Sequence, residues 1–353
     1  MRRLFGELSE TEWAEFRKTR PEAHLLQSLE QVKMRSDMGH RSYILGVRDG
    51  KEIIAGGVLL GRCDEFWMPY GPLMDWGNAE LVKYFLDELV NFARGRGMIR
   101  IEVFPDILLA LRDSKGNILE RHDQSRLVKL FEKAGWRYEG ETVSYEMKAG
   151  RWAFVKDLTG IKDVESLRKT YRKTLRARLR QTDGDVKITT LKRDELSMLV
   201  GLIDESGTKN HVSSRETEYY EQMYDAFGQN VKFLVARKTD DNTPVAGAIF
   251  IHNGHEVASY LSGMDRRYRN LNGRAWLQDH VMQKCLKNGV TRVNFFWIEG
   301  RFEGNSLLEF KSGFGGVIEE YIGGFEKVLQ PTKYQTRRVV RKAKNMARRL
   351  IKH

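Results

Sequence analysis

The sequence has little cysteine and no long apolar segment. Its two cysteines, Cys63 and Cys285, form neither a CxxC pair nor a Cys/His cluster, so neither a disulfide framework nor a zinc site is indicated. Both lie among apolar residues, which predicts buried thiols.

No apolar run reaches the roughly 18 residues that a membrane-spanning helix needs, and the N-terminus lacks the apolar core of a signal peptide. These absences favour a cytoplasmic protein or one bound peripherally to a membrane.

Acidic residues are missing from the end of the chain. Residues 331–353 contain nine lysines and arginines and no aspartate or glutamate, and so supply most of the net charge of +12. The apolar residues of this segment recur at helical spacing, namely Val339, Val340, Ala343, Met346, Ala347, Leu350 and Ile351. A basic amphipathic helix fits an anionic partner, either RNA or an acidic membrane surface. The alternative is a helix that packs its apolar stripe on the body of the protein.

Two parts of the chain resemble each other, which predicts a duplicated α/β unit. Each part begins with two strands joined by a turn, at 42–47 with 53–60 and at 232–237 with 245–252. The two hairpins align with Leu45 on Leu234, Ala55 on Ala246 and Gly56 on Gly247. A helical stretch follows in each, then a strand at 98–104 or 290–296, then a helix that ends in Lys-x-Gly-aromatic.

This order of elements is that of the GNAT acyltransferase fold. We therefore predict an α/β protein with mixed (α+β) sheets, built as two tandem GNAT-like domains and a basic C-terminal helix. The expected boundaries are 1–150 for the first domain, 151–330 for the second and 331–353 for the helix. The alternative is a coincidental likeness between two unrelated α/β units.

The second domain begins with a strongly basic helix, predicted over 167–180. Its i, i+4 apolar stripe is Leu167, Tyr171, Leu175 and Leu179, and its other faces carry seven arginines and lysines. Like charges this dense repel one another unless anions or carboxylates compensate them. The helix is therefore interpreted either as a contact for nucleic acid or phosphate, or as a solvated face.

The acyl donor is not settled by the usual coenzyme A motif. Enzymes of this fold hold the pyrophosphate of acetyl-CoA at a glycine-rich turn that opens a helix. The matching segment, Asn270 to Ala275, keeps the glycine and the alanine but opens with asparagine. The equivalent segment of the first domain, Met74 to Glu80, is acidic. A coenzyme A-dependent N-acyltransferase therefore remains one hypothesis, and a different acyl donor is the other.

Motifs spread over most of the chain resemble those of the Fem family of aminoacyltransferases. The matching segments are His24 to Ser28 with Val32 and Lys33, Pro69 to Pro72 with Asp75, Leu175 to Arg180, Arg215 with Tyr219 and Tyr220, Tyr260 to Gly263, and Leu308 to Gly316. Their order and spacing are more specific than any one of them. Family members transfer an amino acid from aminoacyl-tRNA to the side-chain amine of a peptidoglycan stem peptide. The resemblance implies the same activity here, on a UDP-MurNAc-peptide or a lipid-linked precursor, and the short form of the family without a helical arm.

The resemblance also implies roles for individual residues. Phe310 and Lys311 are expected to be catalytic and to meet the aminoacyl end of the tRNA. Lys33 and Arg215 are expected to bind the diphosphate of the acceptor. Tyr219 and Tyr260 are expected to line the same cleft.

The sequence departs from the family pattern at three places. Leucine stands at Leu29 in place of tryptophan, Tyr70 precedes Gly71 and Pro72 in place of arginine, and the strand end reads 295–300 FFWIEG in place of Asp-x-Gly. The resemblance places these positions around the acceptor, so it implies that the contacts with the acceptor differ from those of other family members.

The expected chemistry needs an activated ester, an unprotonated amine and stabilisation of the oxyanion, and so requires no metal, ATP or other cofactor besides the aminoacyl-tRNA. A lysine-type amine is protonated at neutral pH, so a base is needed. Glu102 and Asp106 are weak candidates for that base. A third hypothesis, of another class, is a non-catalytic adaptor that binds RNA or a membrane.

Overall fold

The chain forms two compact units, each with its own sheet and core. The computed structural model describes residues 3–140, 148–210 and 215–350. The first unit consists of Met1–Ile107, Asp123–Thr142 and Ile322–His353, and the second of Leu108–His122 and Val143–Tyr321. Within the described residues, no helix is long and apolar enough to cross a membrane.

The first unit contains one mixed sheet with helices packed against it. Its described strands are β1 (Arg3–Glu7), β2 (Arg41–Asp49), β3 (Glu52–Arg62), β4 (Glu65–Pro69), β5 (Leu73–Met74), β6 (Arg100–Phe104), β9 (Arg137–Tyr138) and β17 (Phe325–Val328). Its helices are α1 (Glu10–Lys18), α2 (Leu29–Asp37), α3 (Ala79–Gly95), α4 (Ser125–Lys133) and α11 (Pro331–Leu350). The strand order is β1-β2-β3-β4-β6-β17-β9, with β5 beside β3, and only β4 and β6 run parallel among these pairs.

The second unit contains a larger sheet of the same kind. Its described strands are β7 (Leu108–Arg112), β8 (Ile118–Arg121), β10 (Trp152–Asp157), β11 (Val186–Thr190), β12 (Val231–Lys238), β13 (Pro244–Asn253), β14 (Glu256–Met264), β15 (Arg292–Trp297) and β16 (Val317–Tyr321). Its helices are α5 (Val164–Lys169), α6 (Lys173–Gln181), α7 (Leu196–Asn210), α8 (Thr217–Phe227), α9 (Gly273–Lys287) and α10 (Ser306–Ser312). The strand order is β11-β12-β13-β14-β15-β10-β16-β7-β8, in which β14 and β15 are parallel.

The predicted duplication is visible in the register of the two hairpins. Gly56 lies opposite Gly46 in the first unit, and Gly247 lies opposite Val235 at the aligned position of the second. Each glycine makes room for a large side chain, because a Cβ at Gly56 would meet Trp13 and one at Gly247 would meet Leu199. The aligned glycines therefore serve the same packing purpose in both units.

The unit boundaries differ from the predicted ranges 1–150 and 151–330. Strand β17, from the end of the predicted second domain, pairs with β6 in the first unit, placing Phe325 opposite Val103. Strands β7 and β8, from the predicted first domain, extend the second sheet through β16, with Ile318 opposite Arg112. Backbone pairing satisfies these strands' polar groups, and the sequence pattern does not show which distant strand supplies the partner.

The basic helix predicted over 167–180 is two helices in the structure. Helix α5 ends at Lys169, and α6 begins at Lys173. In the break, the amide of Arg172 donates to the carbonyl of Gly313, and the hydroxyl of Tyr171 donates to the buried Asp279. The tertiary hydrogen bond of the Arg172 amide replaces a helical one, and local periodicity does not reveal such a partner. Between β10 and β11 the chain forms only the short helices α5 and α6, so a long helical arm is absent from this described segment.

The two cysteines differ in environment. Cys285 is buried in the second core, where burial raises its pKa to about 12. The prediction of a buried thiol is wrong for Cys63, which is exposed and follows β3 with a φ of 55°. A tight turn to β4 at this point leaves the side chain outside the sheet.

The C-terminal helix is present as α11. Val339 is 65% exposed and Val340 is 47% exposed, whereas Tyr334 lies near Glu326 and Arg337 forms an ion pair with Asp64. The first turns of α11 therefore contact other residues of the first unit, and these two valines of the predicted stripe are exposed. The side chains of the remaining stripe residues, from Ala343 onward, are outside the described part of the chain.

Candidate active site of the second unit

Helix α10 carries the two residues that the resemblance makes catalytic. Asn305 caps its first turn by accepting a hydrogen bond from the amide of Leu308 at 3.0 Å, and Leu308 anchors the helix in the core. The chain then turns at Gly315 and Gly316, both with positive φ, of 74° and 136°. A Cβ at Gly316 would lie 2.2 Å from the carbonyl oxygen of Val155. Gly316 is therefore required by the close approach of the turn after α10 to β10, and Gly315 by its approach to the carbonyl of Thr170 at the end of α5.

Lys311 is buried at the end of α10, with its side-chain amine directed to two backbone carbonyls. Its Nζ donates to the carbonyl oxygen of Trp297 at 2.7 Å and to that of Phe296 at 3.3 Å. The residue is 7% exposed, whereas Lys133, its counterpart in α4, is exposed. Burial, with a smaller contribution from the charge of Arg274, lowers the pKa of Lys311 to about 7.

The carbonyls that accept hydrogen bonds from Lys311 belong to the end of β15, where the backbone conformation is unusual. Phe296 has a φ of 64°, which is rare for a bulky residue. Its amide donates to Oδ1 of Asn294 at 2.8 Å, which holds the backbone in this conformation. Strained backbone of this kind is found most often at functional sites. The segment 295–300, which departs from the family pattern, thus provides the contacts of the predicted catalytic lysine.

Arg215, Tyr219 and Tyr260 lie together. The hydroxyls of Tyr219 and Tyr260 are 2.6 Å apart, and Nη1 of Arg215 donates to the hydroxyl of Tyr260 at 3.2 Å. The guanidinium of Arg215 lies 4.1 Å from the centroid of the Tyr219 ring. The Tyr260 ring in turn contacts Phe296, with centroids 5.2 Å apart. The structure therefore joins three predicted substrate-binding residues to the strand end that holds Lys311.

Phe310 lies between the core and an arginine that sequence reasoning overlooked. Its ring packs edge-on against Phe314, with centroids 5.5 Å apart, and the guanidinium of Arg274 lies 4.3 Å from its centroid. Arg274 is in the first turn of α9, inside the segment that partly matches a coenzyme A motif. A basic side chain in such a segment is a sequence signal for this position.

Lys156 is a second residue that the sequence did not single out. Its Nζ donates to the carbonyl oxygen of Phe314 at 2.8 Å and to Oγ1 of Thr170 at 2.6 Å, so it ties the turn after α10 to the end of α5. Burial lowers its pKa to about 8. A lone lysine in an alternating strand gives no sequence signal for this role.

The remaining predicted residues belong to the first unit. Lys33 is exposed on α2 and forms an i, i+4 ion pair with Asp37, with Nζ 2.8 Å from Oδ2. Glu102 is buried within β6 and lies 3.1 Å from Nη2 of Arg100. Asp106 is half-buried just after β6. The buried ion pair with Arg100 favours a structural role for Glu102.

Three carboxylates of the first unit come close enough together to suggest a metal site. Oxygens of Glu102, Glu139 and Glu326 lie within 4.8 Å of one another. Arg100 is 3.0 Å from Glu326, which is also 3.1 Å from Arg137. The arginines compensate the negative charge, and the cluster is explained as a network of ion pairs.

The comparisons with known proteins agree with this architecture and cover nearly all of the chain. The model of the FemAB family matches residues 8–239 and 236–342. The chain belongs to the FemAB family. Aminoacyltransferase FemB of Staphylococcus epidermidis is 23% identical over 384 aligned positions, which cover 89% of this chain and 92% of FemB. The resemblance predicted from the sequence is confirmed.

Solved structures show the same fold. The crystal structure of FemX superimposes with a TM-score of 0.78 at 14% identity and covers 95% of this chain and 99% of FemX. A tandem GNAT protein from the clavulanic acid biosynthesis pathway superimposes with a TM-score of 0.58 at 10% identity and covers 93% of this chain and 99% of that protein. The predicted fold class, mixed α/β with two tandem GNAT-like units, is confirmed.

Proposed function

We propose that this FemAB-family protein transfers an amino acid from aminoacyl-tRNA to the side-chain amine of a peptidoglycan precursor, with Lys311 at the reacting ester. The FemAB family and the similarity to an enzyme named aminoacyltransferase support the transfer chemistry. The observation that carries the role of Lys311 is its buried amine, held on the carbonyls of Phe296 and Trp297.

The transfer needs one bond to form and one to break. The nitrogen of the acceptor amine attacks the ester carbonyl carbon, and the ribose oxygen leaves with a proton while the amine loses one. The cationic form of Lys311 stabilises the negative charge that develops on oxygen, and its low-dielectric surroundings strengthen that interaction. The ester is already activated, so the proposal needs no metal and no second cofactor.

Arg215 and the two tyrosines are proposed to bind the acceptor. A guanidinium beside two hydroxyls offers several donors to phosphate or sugar oxygens. The contact between Tyr260 and Phe296 places this group next to the strand end that holds Lys311. The role of Lys33 in binding the diphosphate stays a prediction from the resemblance.

The matched lysines of α10 and α4 test the role of Lys311. We expect Lys311→Ala to reduce single-turnover transfer from purified aminoacyl-tRNA by about two to three orders of magnitude, as loss of an oxyanion-stabilising group does elsewhere. Lys133→Ala removes the equivalent, exposed residue and should leave transfer nearly unchanged. Mass spectrometry of soluble UDP-linked and lipid-linked precursors, incubated with a pool of charged tRNAs, identifies the product. An unchanged rate in Lys311→Ala would refute the assignment.

The basic helix α11 is proposed to bring the enzyme to an anionic surface in the cytoplasm. Each lysine or arginine near an anionic membrane adds about 1 kcal/mol of attraction, and Val339 and Val340 are exposed beside these charges. Co-sedimentation with anionic vesicles is expected for the full chain and is expected to be lost when residues 331–353 are deleted. Retained sedimentation after the deletion would contradict a membrane role for this helix.

A further inference from the structure

Asn294 connects the end of β15 to the neighbouring strand β14. Its side chain is almost fully buried, and both ends of its amide group form hydrogen bonds. Oδ1 accepts from the backbone amide of Phe296 at 2.8 Å, and Nδ2 donates to Oε1 of Glu256 at 3.3 Å. Because an ionised carboxylate only accepts hydrogen bonds, Glu256 keeps Nδ2 on its own side and leaves Oδ1 for Phe296. Glu256 therefore determines which way the amide group faces.

Glu256 is itself held by a largely buried network of charged groups. Nε of Arg292 donates to its Oε2 at 2.7 Å. The same guanidinium donates to both carboxylate oxygens of Glu319 in β16, at 2.7 and 2.6 Å, and the hydroxyl of Tyr321 donates to Glu319 at 2.7 Å. Networks whose polar groups are satisfied in this way are rigid. The amide group of Asn294 is therefore bound to a fixed support.

The end of β15 needs such a support because its backbone leaves the extended conformation. Successive carbonyls of a regular strand point in opposite directions, so two neighbouring carbonyls reach one amine only where the strand is no longer regular. Those of Phe296 and Trp297 both accept from Nζ of Lys311. The departure begins at Phe296, whose φ of 64° redirects the chain that follows. A bulky residue keeps such a φ where surrounding contacts impose it, and the hydrogen bond to Asn294 is one of these contacts.

We propose that Asn294 is a positioning residue of the transfer reaction, which keeps the end of β15 in the conformation that holds the amine of Lys311 in place. Glu256 orients Asn294, Asn294 holds the amide of Phe296, and the carbonyls that follow hold Lys311. Asn294 therefore acts on the reaction through Lys311. The inference rests on the proposed function for the reaction that Lys311 serves.

The position of the Lys311 amine can be observed without any reaction. The amine protons of a buried, hydrogen-bonded lysine exchange slowly with water, and NMR spectra of the protein labelled with ¹⁵N-lysine detect them at mildly acid pH. We expect Asn294→Ala to shift the Lys311 signal and to speed its exchange, because the released strand end no longer holds the two carbonyls. The Lys156 signal is the internal control, since its amine donates to the carbonyl of Phe314 and to Thr170.

Val293→Ala is the matched control variant. Val293 precedes Asn294 in β15 and is fully buried in the core of the second unit. Its truncation should lower the stability of β15 without touching the contacts of Phe296. We therefore expect the Lys311 signal and the transfer rate of Val293→Ala to match those of the wild type.

The transfer rate shows whether Asn294 acts through Lys311. With saturating UDP-linked precursor, we expect Asn294→Ala to reduce single-turnover transfer by about 10- to 100-fold, as a displacement of about 1 Å does. In a chain that already carries Lys311→Ala, the same substitution should change the rate by less than about twofold, because the lysine that it displaces is gone. Equal reductions in both backgrounds would overturn the inference.

A reversed pair keeps the test valid if Asn294→Ala does not fold. Asn294→Asp combined with Glu256→Gln exchanges the amide and the carboxylate, and an oxygen at position 294 still accepts from the amide of Phe296. Arg292 retains Glu319 as its partner. We expect this double variant to keep the slowly exchanging Lys311 signal and most of the transfer. Loss of that signal in the double variant would overturn the inference, and so would an unchanged signal in Asn294→Ala.

The inference and the proposed function fail separately. A wild-type protein that transfers no amino acid from charged tRNA would refute the function, and a displaced Lys311 signal in Asn294→Ala would still support the hold of Asn294 on the amine. Transfer at the wild-type rate in Asn294→Ala would support the function and refute the positioning role.

Discussion

At the scale of single residues, two lysines with the same local sequence have different surroundings. Lys133 and Lys311 both end a helix in Lys-x-Gly-aromatic, and the helix dipole favours a cation at either place. Only Lys311 is buried, because the strand end at Phe296 and Trp297 turns its carbonyls toward the amine. In the sequence, only the second copy has Phe310 directly before the lysine and a second glycine, Gly316, after Gly315.

The ionisation of Lys311 provides a direct test of its surroundings. Burial and the charge of Arg274 lower its pKa to about 7, so its cationic form and its contribution to transfer decline as pH rises through about 7. We expect Arg274→Gln to raise the pKa of Lys311, because one positive charge is removed. Lys156 is the control, since burial and not Arg274 lowers its pKa to about 8. NMR titration of ¹³C-methylated lysine amines measures both. An unshifted Lys311 resonance in the variant would contradict the contribution of Arg274.

At the scale of elements, the turn that follows α10 is fixed by backbone contacts. Gly316 has no room for a Cβ because the carbonyl of Val155 in β10 lies against it. This contact sets where α10 ends relative to β10, and therefore where Lys311 is held. The glycine pair lies in the segment that resembles the Fem family, and the structure gives Gly316 a packing role close to Lys311.

Alanine substitutions at two glycines distinguish the steric role of Gly316 from the cost of a positive φ alone. Gly316→Ala is expected to destabilise the protein by about 3 kcal/mol or more, because backbone strain and a steric clash add. Gly304→Ala is the control, since Gly304 has a φ of 68° and nothing within 4 Å of a Cβ. It should cost only about 1 to 2 kcal/mol. Urea unfolding followed by tryptophan fluorescence compares them, and equal midpoints would argue against the clash.

At the scale of the whole molecule, the unit in which a strand pairs is not always the one that its position along the chain suggests. Residues 322–328 follow the second unit in the chain, yet β17 lies between β6 and β9 in the sheet of the first unit. Phe325 is fully buried there and stacks on Phe131 with centroids 3.8 Å apart. The first unit therefore depends on a segment that a boundary at residue 330 assigns elsewhere.

Two truncations test this dependence. A chain ending at residue 330 loses α11 but keeps β17, and should retain both sheets and most of its thermal stability. A chain ending at residue 321 also loses β17 and exposes Phe131. The loss of this one packing contact resembles a large-to-small substitution in the core, which costs about 3 to 5 kcal/mol. We expect its first unit to unfold at a markedly lower temperature in calorimetry. Similar Tm values for the two truncations would refute the assignment of β17.

The sequence alone determined the duplicated fold, the family and which lysine to examine. Periodicity, glycines in aligned register and ordered motifs are local properties, or properties that repeat, so they remain visible without coordinates. Tertiary structure decided what no local pattern contains: the burial of Lys311 on the carbonyls of Phe296 and Trp297, the split of the basic helix, and the exchange of strands between the units.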